Sequence, residues 1–85
     1  MKYSIEILRS AQKSLGNIDQ SDQDRIISAI HNLSHNPRPP GAGKLSGRSA
    51  WRIRVGTYRI IYEIHDDKVL IVVVAIGHRR DIYRK

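Results

Sequence analysis

Trp51-Arg-Ile-Arg-Val-Gly-Thr-Tyr-Arg-Ile-Ile-Tyr62 decides the fold. Two runs rich in β-branched and aromatic residues flank Gly56-Thr57, a pattern of two strands joined by a two-residue turn. Such a turn pairs Val55 with Tyr58, Arg54 with Arg59, Ile53 with Ile60 and Trp51 with Tyr62. Side chains alternate between faces along a strand. Trp51, Ile53, Val55, Tyr58, Ile60, Tyr62 and Ile64 therefore share one face, while Arg52, Arg54 and Arg59 share the other. The first face is expected in a core and the second is cationic. Like charges directly opposite on a sheet destabilise it by a few tenths to about 1 kcal/mol. Arg54 beside Arg59 thus opposes folding, and a polyanion laid on that face relieves the conflict.

Downstream, Lys68 to Ile76 reads as a third strand, and because Val69 to Ile76 is apolar without alternation it is expected inside the sheet, covered on both faces. Upstream, Pro37-Arg-Pro-Pro-Gly-Ala-Gly43 reads as a loop. Before it, Ile26, Ala29, Ile30 and Leu33 fall at helical spacing, Asp19 or Ser21 can cap the helix, and Asn36-Pro37 stops it. Leu8, Ala11 and Leu15 mark an earlier helix that ends at Gly16-Asn17. Tyr3, Ile5 and Ile7 alternate with Lys2, Ser4 and Glu6 as a first strand. The order β-α-α-β-β-β predicts an α+β domain spanning residues 1–85, with two N-terminal helices packed on one face of a small, mostly antiparallel sheet.

The 85 residues carry a formal charge of +7, and no cysteine. Redox chemistry, thiol nucleophiles and zinc–thiolate sites are excluded. The charge is lopsided: residues 1–43 hold five Lys/Arg against four Asp/Glu, and residues 44–85 hold ten against four. Such a basic half attracts phosphate-bearing partners or an acidic protein. No apolar run reaches the roughly 18 residues of a membrane span, and the N-terminus lacks the pattern of a secretory leader. A cytoplasmic location with no membrane association is expected.

Arginine suits phosphate recognition because its planar guanidinium offers paired donors and stays charged at all working pH values. The tail Gly77-His-Arg-Arg-Asp-Ile-Tyr-Arg-Lys85 adds further basic residues that can join the arginine face. Together with Lys44-Leu-Ser-Gly47, the hairpin and this tail make the chain resemble the RNA-cleaving RelE branch of the RelE/ParE toxin superfamily over nearly its whole length. The order of elements matches that family's fold.

The resemblance implies a type II toxin that cleaves messenger RNA in the ribosomal A site, without metal or other cofactor, and is silenced by an acidic RelB-like antitoxin. Arg52 and Arg54 occupy positions where the family has RNA-contacting basic residues, often lysines. Arg59 matches the arginine that holds the scissile phosphate, Arg79 the one assigned to the leaving oxygen or to transition-state charge, and Tyr83 the tyrosine that stacks on a base or takes the proton. The Arg79-to-Tyr83 spacing is shorter than in the best-known member. Lys44, Arg48, His78, Arg80, Arg84 and Lys85 are expected RNA contacts. Arginine cannot readily accept a proton, so Arg52 and Arg54 read as electrostatic stabilisers. Tyr83 is the preferred base, with the imidazole of His78 as its competitor. Two alternatives share the fold: a ParE-like inhibitor of DNA gyrase without nuclease activity, and an inactive homologue serving in a repressor complex.

Two other motifs carry no function. Gly41-Ala-Gly43-Lys44 lacks the first glycine and the Ser or Thr of a phosphate-binding loop. His31 and His35 are one helical turn apart, yet no third metal ligand accompanies them, and near the end of a helix they complement its dipole.

Overall fold

In the computed structural model, which describes residues 2–47 and 49–78, the central hairpin has the expected register. β3 (Trp51–Val55) and β4 (Tyr58–His65) pair antiparallel, with Trp51 opposite Tyr62, Ile53 opposite Ile60, Arg54 opposite Arg59 and Val55 opposite Tyr58. Gly56 has φ +61°. A positive φ at the first turn position is the glycine-first geometry whose twist matches the flanking strands.

Around the hairpin lie β1 (Ser4–Ile7), α1 (Arg9–Gly16), α2 (Gln20–Leu33), β2 (Gly43–Lys44) and β5 (Leu70–His78). The sheet order is β1-β5-β4-β3-β2. β1 runs parallel to β5, and the other pairings are antiparallel. The α+β expectation holds, with one more strand than the periodicity disclosed. The extra strand is β2: its two residues hide at the end of the Pro/Gly loop, too short to show alternation.

Both helices cover the same face. α1 lies over β5 and α2 over β3, and Ala11, Ile26, Ile30 and Leu33 close onto Ile53, Ile60, Tyr62, Ile71, Val73 and Ile76. Burying each large aliphatic side chain there contributes about 1.5–3 kcal/mol. Asp19 precedes α2 as expected, but its carboxylate accepts from the Ser21 hydroxyl (2.7 Å) and caps no backbone N–H.

β5 departs from expectation on its second face. It is interior, as its apolar run demands, but with both helices on one side only that side is buried. Leu70, Val72, Val74 and Ala75 are half-buried. Flanking strands supply the remaining shelter. Val74 stands unopposed at a bulge between the Ile61–Ala75 and Tyr62–Val73 pairs, which keeps Tyr62 and Val73 on the core face. The strand also begins at Leu70 and not Lys68, because Asp66–Lys68 form a 3-10 turn ended by Val69 at φ +51°.

Candidate nucleic-acid interface

The face away from the helices gathers the arginines in two rungs. In one, Arg52 lies between Gly43 of β2 and Ile61 of β4; in the next, Arg54 faces Arg59, and Arg59 faces Gly77 of β5. Arg54 is exposed, Arg52 half-buried, and Arg59 only 8% exposed in the middle of the sheet. Only a small part of Arg59 therefore reaches solvent on this face. Along the same face the charge changes sign. Glu63 and Glu6 stand at the far end, and Glu63 Oε1 meets His65 Nε2 at 3.0 Å. Among the described residues, the cationic patch on this face is therefore confined to the β2–β3–β4 corner.

A cleft of about 360 Å³ opens there, lined by Pro40, Gly41, Arg52, Ile53 and Arg54. Its wall is the Pro/Gly loop, and a chain of contacts fixes that loop. The Tyr62 hydroxyl, fully buried, donates to the Pro37 carbonyl oxygen at 2.7 Å. Burial pushes the Tyr62 phenol up to about 12, since a phenolate has no water there. The Arg38 guanidinium sits 5.3 Å from the Trp51 ring centre and donates from Nη2 to Asp66 Oδ2 at 3.0 Å. Asp66 Oδ1 accepts from the Tyr3 hydroxyl at 2.6 Å. That bond and then Arg38 hold the Asp66 carboxyl below its usual range, and the same bond raises the Tyr3 phenol. The residue preceding β1, the loop, β3 and the 3-10 turn are thereby stitched together.

Not every expected site residue joins this corner. His78 pairs with Tyr58, so it projects on the helix-bearing face. Its ring meets the Tyr58 ring edge-on at 5.6 Å, beside a cleft lined in part by Ser14, Asn17 and Ile18. Lys44 pairs with Trp51 and likewise alternates away from Arg52, lining a cleft with Leu45, Ser46, Gly47 and Ser49. Arg48, Arg79, Arg80, Tyr83, Arg84 and Lys85 lie outside the described residues. His31 and His35 form an edge-on ring pair at 6.0 Å, and no cluster of three or more metal-ligating residues occurs among the described residues.

Sequence reasoning passed over Arg38, Asp66 and Gly43. The first two are distant in sequence and meet only through the fold. Gly43 could have been found from its place opposite Arg52, had β2 been recognised.

Known proteins share this architecture and sequence. The family model described as the ParE toxin of the type II toxin-antitoxin system parDE matches residues 5–83. A putative RelE-like toxin protein of Escherichia coli is 30% identical over 88 residues, covering 98% of this chain and 92% of its own. Toxin RelG of Mycobacterium tuberculosis is 29% identical over 89 residues, covering 100% of both chains. In a crystal structure of the archaeal RelE–RelB complex from Pyrococcus horikoshii, a chain superposes with TM-score 0.83 at 25% identity, over 93% of this chain and 97% of that one. Matched over nearly its whole length in both sequence and fold, the chain belongs to the RelE/ParE superfamily of type II toxin–antitoxin toxins.

Proposed function

We propose that the protein is a ribosome-dependent endoribonuclease that cuts messenger RNA in the A site and so inhibits translation in the cytoplasm. The observation that carries this reading is the gathering of Arg52, Arg54 and Arg59 on one open face, with Arg59 deep in the sheet. Residues 1–85 act as one toxin domain.

The reaction needs no metal or other cofactor. The ribose 2′-oxygen attacks the adjacent phosphorus, and the bond from phosphorus to the 5′-oxygen breaks. The leaving 5′-oxygen takes a proton from water, and a 2′,3′-cyclic phosphate and a 5′-hydroxyl result. Arg59 holds the scissile phosphate, and Arg52 and Arg54 offset the charge that develops on its equatorial oxygens. Arg79 neutralises the leaving oxygen. Tyr83 takes the 2′-hydroxyl proton, a role that positive charge beside a phenol favours by stabilising the phenolate. The position of His78 on the opposite face supports Tyr83 over the imidazole. Arg48, Arg80, Arg84 and Lys85 bind the RNA beyond the scissile linkage, while Lys44 and His78, on the opposite face, contact it only where it leaves the arginine corner. An acidic RelB-like antitoxin is the partner that silences the protein by charge complementarity.

Translation of a defined message with purified protein tests the reading. Wild type cleaves the message at the A site. Arg59→Ala slows cleavage by about 10²–10³-fold, the usual cost of one donor to a developing charge. An intact message with wild type, or full activity in Arg59→Ala, refutes it.

The family model itself is that of ParE, which favours a second reading: a gyrase poison with no nuclease activity. Purified gyrase then loses supercoiling activity in the presence of the protein while RNA stays whole.

A further inference from the structure

We infer that Gly43 is a positioning residue for Arg52: by having no side chain, it lets the Arg52 guanidinium lie flat across β2 and face the cleft. The inference rests on the arginine corner being the RNA-binding surface. Gly43 and Arg52 are cross-strand neighbours. A Cβ built on Gly43 falls 3.0 Å from Arg52 Nη2, 3.1 Å from Cζ and 3.3 Å from Nη1. All three nearest atoms belong to one guanidinium. Contacts that tight are rare for a β-carbon, so a side chain at 43 makes that guanidinium give by a few tenths of an ångström.

The guanidinium is also located from its other edge. Nη1 reaches the Gly41 carbonyl oxygen at 3.5 Å, the outer limit of a hydrogen bond, and the loop bearing that carbonyl turns through the Ala42 N–H to Pro39 O bond at 3.0 Å. Arg52 thus rests on a shelf of glycine backbone that ends at the 360 Å³ cleft. The glycine at 43 answers to a neighbour, since its own backbone is an ordinary strand conformation with no positive φ. Alanine there is compatible with the main chain, and the flexible arginine can swing aside. Gly43→Ala therefore perturbs the place of one charge and leaves the fold alone.

The test is a cycle of four full-length proteins: wild type, Gly43→Ala, Arg52→Ala and the double variant. Affinity for a fluorescein-labelled single-stranded RNA oligonucleotide is measured by anisotropy across a salt series, alongside urea midpoints and ribosomal mRNA cleavage. Gly43→Ala is expected to weaken RNA binding about 3-fold, whereas Arg52→Ala also lowers the salt slope by about one counterion, as loss of one phosphate contact requires. Arg52→Ala matches or exceeds that loss. In the Arg52→Ala background, Gly43→Ala changes neither affinity nor midpoint, because the guanidinium its Cβ presses on is gone. That last result separates positioning from a general structural defect. Should Gly43→Ala itself lower the midpoint, recovery in the double variant still supports the inference.

An unchanged affinity in Gly43→Ala beside a weakened Arg52→Ala overturns it. So does an equal loss from Gly43→Ala in both backgrounds. If Arg52→Ala binds like wild type, the arginine corner is not the RNA surface, and the inference falls with it. If binding follows the cycle but no message is cut, only the nuclease reading fails.

Discussion

Tyr62→Phe is a test of the anchor beneath the arginine corner, and its size can be worked from the structure. The phenol is fully buried, and its hydroxyl donates to the Pro37 carbonyl oxygen at 2.7 Å. Phenylalanine keeps the ring and removes the bond. At pH 7 the loss is about 1–3 kcal/mol, a net hydrogen bond plus a stranded carbonyl. The pH dependence then separates this mechanism from simple repacking. The Tyr62 phenol is raised from about 10 in an unfolded chain to about 12 in the native one. A raised acid stabilises the native state fully below the unfolded value, and that contribution is lost as pH climbs from 10 through 12. Two units correspond to roughly 2.7 kcal/mol.

Wild type therefore loses on the order of 2–3 kcal/mol more than Tyr62→Phe across that window, and the two stability curves converge. Urea unfolding at constant ionic strength between pH 7 and 12, followed by the fluorescence of Trp51, reads this directly. Tyr3 also titrates upward in the native state, and it is present in both proteins, so the difference between curves isolates Tyr62. Parallel curves refute the reasoning, as does a variant as stable as wild type at pH 7.

Three further outcomes are expected. Asp66 is held ionised by Tyr3 and Arg38, so its stabilisation is present above the ordinary carboxylate range and disappears as pH falls through its lowered value. Asp66→Asn removes that acid limb from a urea-midpoint series. A short RNA or another soluble polyanion at about 100 times its Kd stabilises wild type by about 2.7 kcal/mol, and less in Arg54→Thr, with both effects fading at 1 M salt; thermal melts check this. Gly56→Ala costs about 1–2 kcal/mol because φ +61° suits no β-carbon, whereas Gly56→Asn costs less; the urea midpoints of the two variants decide it.

Residues close in sequence were legible because the pleat has a period of two. From Gly56-Thr57 alone the parity of Trp51 to Ile64 follows, and with it the division into a core face and an arginine face. The helices were legible for the same kind of reason, through Ile26, Ile30 and Leu33. What stayed hidden depends on long-range register. His78 appears beside Arg79 in sequence, yet one position of alternation and the bulge at Val74 decide which face it takes. The clasp of Tyr3, Arg38 and Asp66 joins residues up to 63 positions apart, and no local pattern encodes such a meeting. β2 was hidden because a strand of two residues has no period to read.

The arrangement also explains why the arginine face is poorer in apolar contacts than its opposite. A second helical layer over β3 and β4 would raise stability but would cover Arg52, Arg54 and Arg59. Leaving that face open places two like charges across one rung, at a cost of a few tenths to about 1 kcal/mol. The clasp and the Tyr62 anchor offset this from outside the patch, acting on the loop and on the sheet ends without covering the guanidinium groups. Because arginines do not titrate near neutrality, the field they create is constant with pH. Any pH dependence of the proposed RNA cleavage near neutrality then belongs to a proton-transferring group, and a bell-shaped profile traced to these arginines is incompatible with the proposal.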